Sequence, residues 1–297
     1  MSLIRLLRQL LALTALCTYS LVWAQSTMVR LHTTQGPVDL RLFDTEAPKT
    51  VSNFLGYVHA GAYTDVFFHR SARLGDGRPF VIQSGGFKWS SGSSVCCTGV
   101  TSRGKLINEF SSSRSNVRGA VAMAKVGGDP NSATSQWFIN LSDNSTNLDN
   151  QNGGFTVFAR VTAPSMAIAD KIAALPVVNA GGNYSELPVD GWTTGNQVMR
   201  GNLVLIPRVT EFPPLAAQSA SDRIFNFLEA SYPQYVPVEG VESGTALGYL
   251  YRYYPKTNSY LGTKDGKVWY LVPAIGSQIQ ELADLTYMLA AAEAAGY

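Results

Sequence analysis

The sequence predicts a mainly β protein: an eight-stranded closed antiparallel barrel capped by two helices, with a small α+β module after it. Three observations lead there. Short apolar–polar alternations recur through residues 27–209, and only two stretches of that region carry helical spacing. The composition, 27 Gly and 14 Pro among 297 residues, favours turn-rich β structure over a helical bundle. About eight short strands leave exposed sheet edges unless the sheet closes on itself, which is the reason to expect a barrel.

In chain order, residues 1–24 read as a leader. Arg5 and Arg8 precede an apolar run over residues 10–22, and Val22-Trp23-Ala24 offers small residues around a cut. The run falls short of the ~20 apolar residues a membrane span needs, so an uncleaved anchor is disfavoured. Val38, Leu40 and Leu42 then alternate with Asp39, Arg41 and Phe43 after a turn at Gln35-Gly36-Pro37, a half-buried strand. A helix follows: Pro48 suits the first turn, Glu46 supplies early negative charge, Val51, Phe54, Leu55 and Val58 share one face, and Gly61 stops it. Strands are expected at residues 66–69, 80–83, 119–124, 136–141, 155–161 and 202–209. A second helix is expected over 164–175, with Met166, Ala169, Ile172 and Ala173 inward. The barrel domain thus spans residues 27–210. Residues 211–220, with Pro213-Pro214, read as a linker. Beyond it, residues 221–297 form the small module: a helix capped by Asp222 with Ile224, Phe225 and Leu228 in a stripe, aromatic strands at 247–254 and 268–272, and a closing helix over 277–294.

Charge and cysteine content exclude several functions. With 23 Lys+Arg against 21 Asp+Glu, the chain lacks the basic excess that nucleic-acid binding needs, and loss of Arg5 and Arg8 with the leader makes it formally neutral. The leader also implies a periplasmic or secreted protein with no membrane span after cleavage. Outside the leader the only cysteines are Cys96 and Cys97, and adjacent Cα atoms, ~3.8 Å apart, make a bridge between them strained. With no other Cys and only His32, His59 and His69 to assist, two loop thiols or a passive oxidised pair is the expected reading, a redox or metal role the alternative.

The chemistry-bearing segments are Ala47-Pro48-Lys49-Thr50-Val51, Phe68-His69-Arg70, Phe80-Val81-Ile82-Gln83-Ser84-Gly85-Gly86, Arg118-Gly119-Ala120-Val121-Ala122-Met123-Ala124, Ser132-Ala133-Thr134-Ser135-Gln136-Trp137-Phe138-Ile139-Asn140, Asn147-Leu148-Asp149 and Phe155-Thr156-Val157-Phe158. Each is short; in this order and spacing, over residues 27–210, they resemble the cyclophilin family of peptidyl-prolyl cis-trans isomerases, nearest its periplasmic bacterial branch. The resemblance implies a cyclophilin-like barrel, isomerase activity toward X-Pro bonds of proline-containing polypeptides, and no cofactor or metal. It also implies roles. Arg70 corresponds to the catalytic arginine; Phe80, Val81, Phe138, Leu148 and Phe155 to walls of the proline pocket; and His69 to a pocket-lining histidine. Gln83 and Gln136 correspond to groups holding the substrate backbone, and Ala124, Lys125 and Val126 to a strand edge that pairs with it.

Elementary chemistry agrees with that assignment. Amide conjugation sets a rotation barrier of ~18–20 kcal/mol, and reaching about 1–10³ turnovers per second needs a reduction of only roughly 3–7 kcal/mol. An always-charged guanidinium that hydrogen-bonds the prolyl nitrogen as conjugation is lost can supply this inside an apolar pocket, without a nucleophile. Taken alone, Arg70 would be an ordinary solvated arginine at a strand end, and the pocket aromatics ordinary core. The sequence departs from the family in the nine residues 71–79, where the family usually has four, and in Asn147, where relatives carry Trp or Phe. The longer loop motivates an alternative: a non-catalytic module that binds proline-containing chains or an envelope partner. In the tail, Tyr249, Tyr251, Tyr253, Tyr254, Tyr260, Trp269 and Tyr270 are either core or a contact face for protein or glycan.

Overall fold

The fold was obtained as a computed structural model, which describes residues 26–89, 97–273 and 279–297. The leader (residues 1–24) and Cys96 lie outside the described residues. Fourteen strands form the first part: β1 (Met28–Thr33), β2 (Gly36–Leu42), β3 (Val66–Phe67), β4 (Arg70–Arg73), β5 (Pro79–Ser84), β6 (Phe87–Trp89), β7 (Cys97–Gly99), β8 (Ala120–Met123), β9 (Trp137–Asn140), β10 (Val157–Val161), β11 (Val177–Val178), β12 (Leu187–Pro188), β13 (Leu205–Ile206) and β14 (Arg208–Phe212). Helices α1 (Pro48–His59), α2 (Ser145–Leu148) and α3 (Ser165–Ala173) lie between them.

Eight strands make one antiparallel sheet in the order β14-β1-β2-β10-β8-β9-β5-β4. The expectation of a closed barrel is not met: β14 and β4 are its free ends, so it is an open half-barrel. The reason is local. Pro207, which has no N–H, separates β13 from β14: before it the chain pairs with β3 in a second sheet ordered β13-β3-β6-β7, and after it with β1. Phe68 donates to the Val204 carbonyl (3.0 Å) while His69 donates to Gln83 of β5 (3.1 Å), so the segment from β3 to β4 also changes partners. Both helices expected as caps exist, and α1 and α3 bury Phe54, Tyr57, Ala169 and Ile172 in one core with Val38, Leu40, Ile82, Trp137 and Ile139. The early negative charge on α1 comes from a different residue than expected: Glu109, from a distant loop, accepts from the Lys49 and Thr50 amides (3.2 and 2.7 Å), whereas Glu46 bonds to Thr45. The short α2 went unread, because four residues are too few to show a helical period.

The C-terminal part is a five-stranded antiparallel sheet in sequential order, β15 (Glu242–Ala246), β16 (Tyr249–Tyr254), β17 (Ser259–Lys264), β18 (Lys267–Leu271) and β19 (Gln280–Asp284), with α4 (Ala220–Ser231) and α5 (Leu285–Ala294). Two aromatic strands were expected; five form. The first half of the expected closing helix is instead β19, and the cap of α4 is Ser219, whose side chain accepts from the Asp222 amide, not Asp222 itself. Tyr254 is core, beside Phe225 and Leu261. Tyr251 and Tyr253 flank Tyr260 on the opposite sheet face, and Tyr249 meets Trp269 edge-on.

The stretch expected as a linker is tied down. Phe212 closes β14, and Leu215 is buried with Met28, Ala230, Ala292 and Tyr297. A buried charge network joins the two parts. The Arg30 guanidinium on β1 binds both Asp39 oxygens (2.7 and 2.8 Å), Glu229 of α4 (2.5 Å) and the Asn226 carbonyl (2.9 Å). Glu229 also accepts from Arg252 (2.9 Å) and Tyr254 (3.0 Å), and Tyr297 donates to Asp39 (2.6 Å). Burial by itself would raise the Glu229 carboxyl; the Arg30 and Arg252 charges outweigh it and hold the group below the ordinary carboxylate value. Among the described residues no helix is long and apolar enough to cross a membrane.

Because the ion pair is buried, removing one partner strands the other charges. Glu229→Ala is expected to lower the unfolding free energy at pH 7 by about 3–5 kcal/mol, read by urea denaturation. A depressed carboxyl contributes stability that is full above its ordinary pKa and is lost as pH falls below it, so acidification should narrow the gap between wild type and Glu229→Ala.

Candidate active site

Strand pairing assembles the site. Arg70 on β4 lies opposite Gln83 on β5, Gln83 opposite Phe138 on β9, and Phe138 opposite Ala122 on β8. Alternation then sends Ile82, Trp137 and Ile139 into the main core and Val81, Ala122 and Phe138 to the other face, where they cluster with Leu148, Phe155 and Phe80. On this face lies a cavity of about 250 Å³ lined by Arg70, Phe80, Val81, Gln83, Ala124, Lys125, Phe138, Asn147, Leu148, Gln151 and Phe155.

Each wall is held by identifiable bonds. The Asn144 side chain and the Leu141 amide donate to the Phe80 carbonyl (3.0 and 2.9 Å). Leu148 ends α2, and its carbonyl accepts from the Phe155 amide (3.0 Å). The next residue, Asp149, accepts from the Asn116 amide and side chain (3.0 and 2.8 Å). The Phe138 and Phe155 rings meet edge to face at 5.8 Å. Gln83 donates to Gln136 (2.7 Å), and Gly86 makes room for it: a Cβ there would sit 2.8 Å from the Gln136 amide carbon. Lys125 donates to the Asn152 and Gly154 carbonyls (2.8 and 2.6 Å) with its ammonium 4.7 Å from the Phe155 ring centroid, and burial lowers its pKa.

Arg70 stands at the rim, its side chain 39% exposed, with Nε donating to Glu186 (2.6 Å). Among the described residues its Nη1 and Nη2 have no hydrogen-bond partner, which leaves them to the cavity.

Nine of the twelve residues expected in the site line this cavity; His69, Gln136 and Val126 do not. His69 is 3% exposed with its ring 4.9 Å from Phe87, so it is a buried packing residue and not a pocket wall. Gln136 stands behind Gln83. Val126 is 67% exposed, and its amide donates to Ser132 (2.8 Å). The expected peptide-pairing edge is therefore narrower than three residues. The Ala124 amide is taken by the Gln136 carbonyl (2.9 Å), which leaves Lys125 the one backbone N–H of the three without a partner among the described residues. Sequence reading missed Gln151, which bonds to Asn147 one helical turn away, and Glu186, which lies 116 residues from Arg70 and carries no local signal. None of residues 71–79 lines the cavity: the Leu74 amide donates to Arg78 (2.8 Å) in a closed turn, and Arg73 reaches the Ala173 carbonyl (3.5 Å) at the end of α3.

The lining holds no Ser, Thr, Cys or His, and among the described residues no three His, Cys, Asp or Glu groups could hold a metal ion. Apolar walls from Phe80, Val81, Phe138, Leu148 and Phe155 beside the Arg70 guanidinium can grip an apolar ring next to a charged hydrogen-bond donor. Comparison with known proteins agrees. The profile of the family described as cyclophilin type peptidyl-prolyl cis-trans isomerase/CLD matches residues 28–193. Similar proteins include peptidyl-prolyl cis-trans isomerase A of Dickeya dadantii, 35% identical over 188 residues, which are 62% of this chain and 91% of the relative. Peptidyl-prolyl cis-trans isomerase B of Escherichia coli is 36% identical over 158 residues, 52% and 88% of the two chains. A solved cyclophilin-type isomerase of Cryptosporidium parvum superposes with a TM-score of 0.46 at 21% identity, covering 63% of this chain and 98% of its own. The chain belongs to the cyclophilin-type peptidyl-prolyl cis-trans isomerase family.

Burial pushes the His69 imidazole down to about 4, against opposing hydrogen bonds from Gln136 and the Phe67 backbone. A histidine so depressed favours the neutral form in the fold. Its contribution is therefore complete above its ordinary value of 6.5 and is lost as pH falls toward 4. Urea unfolding at pH 7.5, 6 and 4.5 should show a decline of up to about 3 kcal/mol from this group, since one pKa unit is about 1.4 kcal/mol. His32, lowered to about 3 by its own burial, acts in the same direction. The His69 share is the part of the slope that His69→Gln removes.

Proposed function

We propose that the chain is a peptidyl-prolyl cis-trans isomerase that accelerates rotation about X-Pro bonds at the Arg70 cavity. One observation carries the site assignment: a guanidinium fixed through Nε, its Nη groups without a partner among the described residues, beside a cavity with apolar walls that include Phe138. The proline ring enters between Phe80, Val81, Phe138, Leu148 and Phe155, where exclusion of water strengthens any hydrogen bond formed there. Gln83, oriented by Gln136, and the unpartnered Lys125 amide hold the flanking backbone. As the amide twists, the prolyl nitrogen regains its lone pair and accepts a hydrogen bond from an Arg70 Nη group. That bond is stronger in the twisted state than in either planar isomer, which is the condition for raising kcat. No proton is transferred and no covalent bond forms.

The leader read in residues 1–24 supports an exported enzyme, periplasmic or secreted, that assists the folding of other exported chains. The alternative of a binding module without catalysis rested on the loop at 71–79 obstructing the pocket, and that loop folds on itself outside the cavity lining.

Isomerisation of an X-Pro peptide, followed in a protease-coupled assay or by NMR exchange, is expected to be fast in wild type. Arg70→Ala should slow it on the order of 10²-fold, comparable to the loss of one preorganised transition-state donor elsewhere. Phe138→Ala should raise KM as well, because it removes wall shared by ground and transition states. Equal rates in wild type and Arg70→Ala would sink the mechanism.

A further inference from the structure

We infer that Glu186 is a positioning residue for the isomerase reaction: it fixes the plane of the Arg70 guanidinium and so directs the Nη donors into the cavity. This inference rests on the reading of Arg70 given above. Glu186 belongs to no motif of the site and does not line the cavity. Its carboxylate nevertheless accepts from Arg70 Nε at 2.6 Å, the one donor of the guanidinium that faces away from the terminal nitrogens. The guanidinium is planar, so a partner at Nε constrains its plane while leaving four N–H groups free.

The carboxylate is itself held in place. The Glu186 carbonyl accepts from the amide of Ser71, the residue after Arg70, at 2.7 Å, which sets the two side chains in register. Leu187 is fully buried with Phe67 and Leu205, and β12 pairs with β11. Tyr184, two residues before Glu186, packs against Phe67 (5.9 Å) and edge-on to Phe87 (5.1 Å). A carboxylate on so constrained a backbone can hold a flexible side chain in one orientation.

The ion pair is more than one-third exposed on both sides, 39% and 38%, so solvent screens it and it adds little to stability. Its effect is on population. An arginine on a flexible stem that samples solvent presents its donors only part of the time, and the rate falls by that fraction. Substrate grip through the apolar walls is untouched, so the loss falls on kcat.

The test compares Glu186→Ala, Glu186→Gln and Glu186→Ala in an Arg70→Ala background, with kcat and KM for an X-Pro peptide from NMR exchange and melting temperatures alongside. Glu186→Ala is expected to lower kcat about fivefold to tenfold with KM within about twofold, the scale of a modest loss of alignment. Glu186→Gln, which keeps an acceptor for Nε, should retain more than about half the activity. In the Arg70→Ala background Glu186→Ala should cause no further loss, because the two residues act as one unit. Wild-type kcat in Glu186→Ala, an equal fold-loss in both backgrounds, or a loss that tracks a drop in melting temperature would overturn the inference and leave the Arg70 reading standing. An inactive wild type, or an Arg70→Ala variant as fast as wild type, would overturn the Arg70 reading and this inference with it.

Discussion

The register of β4, β5, β9 and β8 is the constraint on which the site depends. The row Arg70, Gln83, Phe138, Ala122, with Val157 on β10 as the next partner, crosses five strands that are scattered over 88 residues of chain. Side-chain direction alternates with period two, so a slip of one residue in β5 would exchange Val81 and Gln83 for Ile82 and Ser84 on the site face. Such a slip is opposed from the other side of the sheet, where Ile82, Trp137 and Ile139 are fully buried. The same burial that stabilises the half-barrel therefore sets the distance from the arginine to the apolar floor.

Register positions the strands but not the loops that complete the cavity. That task falls to a polar cluster of Asn116, Asn140, Asn144 and Asp149. Asn144 donates to Asn140 (2.8 Å) and to the Phe80 carbonyl, Asn140 donates to Asn116 (3.2 Å), and Asn116 donates to Asp149 beside Leu148. Three of the four are almost wholly buried, so a missing partner would leave an unsatisfied group at a cost of about 1–3 kcal/mol. The cluster thereby couples the start of β5 to the α2 segment, and Phe80 and Leu148 from these two elements both line the cavity.

Local pattern made the framework legible. Pro48 followed by Val51, Phe54 and Val58 located α1, and the alternation around Val38 located β2. The motifs around Arg70, Gln83, Phe138 and Leu148 supply most of the residues that line the cavity. What stayed hidden depends on contacts between distant residues. The open edge of the barrel follows from the pairing of β13 with β3, two short segments far apart in the chain. Glu109 caps α1 from some sixty residues away, and Glu186 meets Arg70 across 116. His69 follows the motif yet does not line the cavity: it sits between β3 and β4, buried against Phe87. In the tail, residues 280–284 pair with β18 as an edge strand, a ladder that overrides the local helical pattern and that sequence spacing alone does not reveal.

The C-terminal part meets the half-barrel at β1 and β2, on the far side of the sheet order from β5 and β4. That placement separates two demands. Buried charges are tolerated only when every partner is present, and Arg30, Asp39, Glu229, Arg252 and Tyr297 satisfy this from five segments of chain at once. So many simultaneous contacts make for rigid attachment, and the Asp39 amide extends the tie to Ser165 of α3 (2.9 Å). The Arg70 end, by contrast, has half-exposed side chains and an open rim, as a site that must admit and release a polypeptide requires. Rigidity at one end of the sheet and access at the other are joined by β10 and β8. The tail is thus tied to the half-barrel through β1 and β2, at the strands of the sheet order farthest from the β5–β4 edge that carries Arg70.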